Sequence, residues 1–134
     1  MNVTRNEMVN LRASEDIVRL RQAVRAWMKE EGFSLVDQTK MVTAASELAR
    51  NAVNYGGGGT VRMETLTDGG RSAIRLVFED HGSGIPDIEL AMKDGFSTSG
   101  GLGLGLGGSK RLVNEFDIQS TPGSGTRVTV ARWR

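Results

Sequence analysis

Glu47 and Asn51 stand four residues apart in Glu47-Leu-Ala-Arg-Asn51. On a helix that spacing puts a carboxylate and a neutral amide on one face. The pair suits phosphate chemistry. An asparagine carbonyl is an oxygen ligand for Mg²⁺, which keeps waters and substrate phosphates in its shell, and a carboxylate beside it takes a proton from an attacking hydroxyl. Taken alone, the same spacing reads more simply as a solvated helix face, with Arg50 and Asn54 extending it.

Asp80-His-Gly-Ser-Gly-Ile85 follows an apolar run. An acid at a strand end, with Gly82 and Gly84 behind it, sets a carboxylate where backbone approaches a flat ligand closely. A carboxylate only accepts hydrogen bonds, so it matches an amino group such as that of adenine. An Asp-Gly turn without a ligand accounts for this segment alone equally well. Further on, glycine alternates with leucine from Gly101 through Leu102, Gly103, Leu104 and Gly105 to Gly108. So much glycine is costly to order unless a ligand helps impose the order, and the leucines set it apart from a polar Gly/Ser linker. A partly apolar lid over a phosphate-bearing ligand fits both features. Gly103-x-Gly105-x-x-Gly108 matches the dinucleotide fingerprint only formally, because Phe96-Ser-Thr-Ser rather than a strand precedes it. Gly108-Ser109-Lys110 has the wrong order for a Walker loop.

The elements that must carry these residues follow from periodicity. A first strand is expected over Glu7 to Arg12. Ser14 then reads as the cap of a helix in which Ile17, Leu20, Val24, Trp27 and Met28 share a face and Gly32 ends the run. A second helix runs from Leu35 or Asp37 to Asn54, with Met41, Ala44, Ala45, Leu48 and Ala52 as its buried stripe. Thr60 to Leu66 and Ser72 to Glu79 form a hairpin across Thr67–Arg71. Short helices are expected over Asp87 to Lys93 and Ser109 to Glu115, then a closing hairpin of Phe116 to Thr121 and Thr126 to Trp133. Antiparallel strands with helices on one face give a two-layer α/β sandwich.

With 134 residues, 38% apolar, the chain is expected to be one domain over 1–134. A net charge of +1 gives no field that draws nucleic acid or a membrane surface. There is no cysteine, which removes disulfides, thiolate metal sites and cysteine nucleophiles together. His81 is the single histidine, so no multi-histidine metal cluster exists. No apolar run nears the ~20 residues of a membrane span, and no secretory leader is legible. A cytoplasmic protein is expected.

Together, in this order, the motifs resemble those of the GHKL superfamily of gyrases, histidine kinases and related ATP-binding proteins. Glu47 to Asn51 resembles its N box, Asp80 to Ile85 its adenine loop, Gly101 to Gly108 its lid, and Gly125-Thr126 its last element. Within it, Ser46 to Asn51 and Asp94 to Gly103 are most similar to the RsbT-like switch-protein serine/threonine kinases. That resemblance implies the Bergerat fold, ATP and Mg²⁺ as cofactors, and phosphorylation of Ser or Thr on STAS-domain proteins. It also implies that the released kinase binds and activates a PPM-type phosphatase. By position, Glu47 is the implied base and Asn51 the Mg²⁺ ligand. Asp80, Gly82, Gly84, Ile85 and Thr126 surround the adenine, and Gly101, Leu102, Gly103, Leu104 and Gly105 contact the phosphates.

The nearest alternative is an anti-sigma factor kinase of the same fold, binding a sigma subunit and phosphorylating its STAS antagonist. One residue departs from that group. Related anti-sigma kinases often carry an arginine just before the lid glycines, where this chain has Ser99. Lys110 and Arg111 read as an exposed basic turn rather than as its substitute. A histidine kinase needs a phospho-accepting histidine on separate dimerisation helices, and His81 lies in the adenine loop instead.

Overall fold

The computed structural model describes residues 1–54, 57–82, 84, 92 and 105–134. In chain order the elements are β1 (Asn2–Leu11), α1 (Ser14–Glu30), α2 (Leu35–Asn54), β2 (Gly59–Asp68), β3 (Arg71–Asp80), α3 (Gly105–Arg111), β4 (Glu115–Thr121) and β5 (Gly125–Trp133). The strands form one sheet in the order β1-β2-β3-β5-β4, and every neighbouring pair is antiparallel. The two-layer α/β sandwich expected from the periodicity is the architecture found.

The core lies between the sheet and the helices. Leu20, Val24 and Met28 of α1 and Met41, Ala45, Leu48 and Ala52 of α2 pack on Val61 and Met63 of β2, Ile74, Leu76 and Phe78 of β3, and Val128 and Val130 of β5. Burying this stripe against the alternate residues of the strands is the main stabilising term for such a fold. On the opposite face Leu66, Ala73 and Ala131 are buried too. Polar side chains lie over that face, with Arg75 donating to Glu64 at 2.8 Å and Trp133 Nε1 donating to Glu115 at 2.6 Å.

Several boundaries differ from the sequence expectation. β1 begins at Asn2 rather than Glu7. Asn2 to Met8 are exposed on both faces, so no buried alternation marks the first half of the strand, and pairing with β2 alone defines it. Ser14 is the first helical residue of α1 rather than its cap, which is Ala13. Asp16 does the capping, accepting the backbone N–H of Arg12 at 2.8 Å and of Ala13 at 3.1 Å. Those two bonds hold the Asp16 carboxyl below its ordinary value of 3.8. Finally, the helix expected over Ser109 to Glu115 runs from Gly105 to Arg111. Leu106 anchors its start in the core. Its expected end is drawn into the sheet, because the Asn114 N–H donates to Ala131 O at 2.9 Å and Asn114 Oδ1 accepts the Trp133 N–H at 2.6 Å. The short helix expected over Asp87 to Lys93 lies almost wholly outside the described residues.

Candidate nucleotide site

Glu47 lies midway along α2 and is 1% exposed. A solvated helix face is therefore not what this position is. Its Oε1 accepts a hydrogen bond from Arg50 Nη1 at 2.9 Å, one turn on, which offsets part of the cost of burying a carboxylate. Asn51 follows on the same face and is half-buried, while Asn54 at the helix end is exposed. α2 buries far more than the expected stripe, with Val42, Ser46 and Ala49 inside as well.

Asp80 is the last residue of β3, and its direction follows from the strand's alternation. Ile74, Leu76 and Phe78 face the helices, so Asp80 does too. Opposite it on β5 stands Thr126, on the same face as Val128 and Val130, and opposite Thr126 on β4 stands Ser120. Gly59 of β2 is Asp80's partner on the other side. A row Gly59–Asp80–Thr126–Ser120 thus crosses the helix side of the sheet end. The Ser120 and Thr126 hydroxyls are 2.9 Å apart, and Asp80 Oδ1 accepts the Gly82 N–H at 3.0 Å. One carboxylate oxygen thereby shapes the loop.

α2 and this row meet at one end of the molecule. The Gly58 N–H donates to Ala52 O at 2.9 Å, near the end of α2, and the next residue, Gly59, pairs directly with Asp80. Cross-strand partners sit about 5 Å apart, so the end of α2 is tied close to the strand end that carries Asp80. The first residue of α3, Gly105, belongs to a helix that packs on α2.

Glycine at three positions makes this convergence possible. A β-carbon at Gly59 would lie 2.1 Å from Glu79 O, and one at Gly125 would lie 2.1 Å from Asp80 O. At Gly84, where φ is +80°, a β-carbon would meet Thr121 O at 2.5 Å. Gly84 thus packs closely against the turn between β4 and β5. Ile85, Ser99 and Gly101 to Leu104 lie outside the described residues. The sequence reading passed over two members of the site, Ser120 and Gly59. Ser120 sits two residues along β4 from Ile118, which the period-2 pattern could have placed, whereas Gly59 read only as part of a helix-ending glycine run.

A cleft of about 350 Å³ adjoins the same strand ends. It is lined by Glu79, Asp80, His81, Gln119, Thr121, Ser124, Gly125, Thr126 and Arg127, and Arg127 and Glu79 form an ion pair at 2.8 Å. It takes in Asp80 and Thr126 of the row but not Glu47 or Asn51.

The arrangement sets a buried carboxylate and an adjacent amide on α2, and a polar row on the helix side of the sheet end to which the end of α2 is tied. Residues 36–134 match the family of histidine kinase-, DNA gyrase B- and HSP90-like ATPases. The chain is 48% identical over 125 residues to the serine/threonine-protein kinase RsbT of Bacillus subtilis, covering 93% of this chain and 94% of that protein. It is 28% identical over 119 residues to an anti-sigma F factor of Thermoanaerobacter, covering 84% of this chain and 82% of that one. Among solved structures, the RsbU and RsbW domains of a Mycobacterium tuberculosis protein superpose with a TM-score of 0.64 at 22% identity, covering 98% of this chain and 33% of that one. The mycobacterial sensor histidine kinase MprB gives 0.54 at 22% identity, covering 96% and 97%. These two likenesses concern the fold. The chain belongs to the histidine kinase-, DNA gyrase B- and HSP90-like ATPase family, and within it is similar over nearly its whole length to RsbT.

Proposed function

We propose that this protein is a serine/threonine kinase that uses Mg-ATP to phosphorylate a STAS-domain regulator and, once released, activates a PPM-type phosphatase. The observation that carries the reading is the burial of Glu47, one turn before Asn51, on the helix whose end adjoins Asp80. A carboxylate kept in a protein interior needs a reason, and general-base work on a substrate hydroxyl supplies one. Similarity to RsbT across nearly the whole chain supports the serine/threonine specificity.

Each residue then has a task. Asp80 accepts from the adenine amino group with the oxygen not used by Gly82, and the Thr126 hydroxyl, oriented by Ser120, adds a second polar contact. Gly82 and Gly84 shape the loop around the base, and the backbone from Gly101 to Gly105 meets the phosphates. Mg²⁺, held largely by nucleotide phosphates, requires only one or two protein oxygens, and the half-buried Asn51 amide offers one. Bound there, the metal would neutralise phosphate charge. Glu47, oriented by Arg50, takes the proton from the attacking hydroxyl.

Incubation with labelled ATP, Mg²⁺ and STAS proteins encoded beside this chain tests the proposal. Label on a serine or threonine of one of them is expected. ATP binding with no transfer to any protein hydroxyl would overturn it. The anti-sigma alternative is favoured by similarity to anti-sigma F factors, and pulldown of a sigma subunit rather than a phosphatase would select it.

A further inference from the structure

Arg132 lies on β5, on the helix side of the sheet, at the end opposite Asp80. Its guanidinium reaches two helices at once. Nη2 donates to Asp37 Oδ1 at 2.6 Å, and Nη1 donates to Leu112 O at 2.9 Å. Asp37 is in the first turn of α2, where its own N–H donates to Ser34 Oγ at 3.1 Å. Leu112 directly follows α3, so its carbonyl lies at the C-terminal end of that helix. A single cation therefore joins the C-terminal end of α3 to the N-terminal end of α2. Both helix dipoles favour the arrangement, since the positive group sits at a C-terminus and Asp37 at an N-terminus.

Stability alone is a poor account of this residue. The Arg132 side chain is only 14% exposed, and its Nε is buried without a hydrogen-bond partner among the described residues. Such a nitrogen carries a desolvation cost, and apolar side chains of similar size commonly replace buried ion pairs with no loss. What an apolar residue cannot do is fix direction. The forked guanidinium sets the position of Asp37 and Leu112 together, in one plane.

We infer that Arg132 is a positioning residue, fixing the spacing of α2 and α3 and so the geometry of the nucleotide site from the far end of both helices. This rests on the kinase reading above, in which α2 brings Glu47 and Asn51 and α3 begins at Gly105. From Asp37 to Glu47 is ten residues, about 15 Å of helix, so Arg132 acts without touching nucleotide. An angular error at the near end of a helix becomes a displacement at the far end, and displacements of about 1 Å suffice to damage phosphotransfer.

The experiment uses the full chain with Arg132→Met, Arg132→Lys and Asp37→Asn, each checked for folding by circular dichroism well below its melting midpoint. Calorimetry gives Kd for Mg-ATP, and transfer to the cognate STAS protein gives kcat and KM. Arg132→Met is expected to raise the ATP Kd about tenfold or more. Arg132→Lys keeps the charge but not the fork and should fall between it and wild type. Adding Asp37→Asn to Arg132→Met should do no further harm, because the two residues act as one unit. A folded Arg132→Met protein with wild-type Kd and kcat and only a lower midpoint overturns the inference, leaving a plain structural clasp. If that variant does not fold, wild-type constants in Arg132→Lys overturn it equally. Failure of the wild-type chain to bind ATP refutes the kinase reading itself, and is distinct from either result.

Discussion

Gly125 presses its backbone against Asp80 so closely that a β-carbon there would lie 2.1 Å from the Asp80 carbonyl oxygen. Its φ is +113°, which side chains rarely adopt. Gly125→Ala therefore meets strain and collision together, at the residue proposed to anchor adenine. A cost of about 2 kcal/mol or more is expected, lowering the melting midpoint by roughly 5–10 °C and weakening ATP binding. Gly123→Ala is the control. Its φ is +82°, yet nothing lies within 4 Å of a β-carbon there, so it should lose some stability and leave ATP affinity alone. Equal ATP binding in both variants would mean that the Asp80 backbone position does not matter.

Asp80→Asn isolates the adenine contact from the loop. The amide oxygen of asparagine can still accept the Gly82 N–H that Asp80 Oδ1 accepts at 3.0 Å, so the turn survives. The other acceptor becomes a donor facing the adenine amino group. A loss of about 1–3 kcal/mol in ATP affinity is expected, with little change in midpoint. Calorimetry showing wild-type affinity would remove Asp80 from the adenine site.

Glu47→Gln separates binding from chemistry. The amide keeps the shape of a side chain that is 1% exposed, and Arg50, 30% exposed, turns readily to solvent. Phosphotransfer should fall ~10²–10⁴-fold, the usual loss with a general base, while ATP still binds. Asn51→Ala should do the reverse, weakening Mg²⁺-dependent binding. An unchanged rate in the Glu47 variant would assign the base elsewhere.

How far these roles were legible in the sequence differs by residue. The core stripes of α1 and α2 and the hairpin of β2 and β3 were readable, because each buries one face and periodicity records that. Glu47 and Asn51 were readable as neighbours, since four residues is a helix repeat. The burial of Glu47 was not. It depends on what packs around α2, and a local pattern ranks a carboxylate with the exposed Asn54. Arg132 was invisible for a related reason. Its partners Asp37 and Leu112 stand 95 and 20 residues away, and only the closed sheet brings them together. The same holds for Gly59, which looks like one of several loop glycines until β3 lies beside it.

The Asp37–Arg132 pair carries a pH signature. The hydrogen bond from Arg132 holds the Asp37 carboxyl below its ordinary 3.8. A carboxyl lowered in the folded state contributes stability above its unfolded value, and that contribution is lost as pH falls through the folded value. At neutral pH the wild type should therefore melt above Asp37→Asn, and the gap should close below pH 3.8. Midpoints measured from pH 7 to pH 2.5 decide the matter. A gap that stays constant with pH would mean the carboxylate charge contributes nothing.

The last prediction concerns release. A kinase that passes from substrate to phosphatase needs a reason to let go, and the chemistry provides one. Phosphorylation adds about −1.5 to −2 charges at the contact. In the proposed arrangement they arise beside Glu47 and the phosphates of product nucleotide, so like charges meet at short range in a partly buried site. Repulsion there is weakly screened. The complex with unphosphorylated STAS protein should be tight, and that with its phosphoserine form weaker by tenfold or more. The difference should shrink in Glu47→Gln, which removes one of the repelling charges while keeping its shape. Dissociation constants for both forms, measured against wild type and Glu47→Gln, test this directly. Equal affinities for the two forms would leave a kinase and remove the switch. A difference indifferent to Glu47 would place the repulsion on the nucleotide alone.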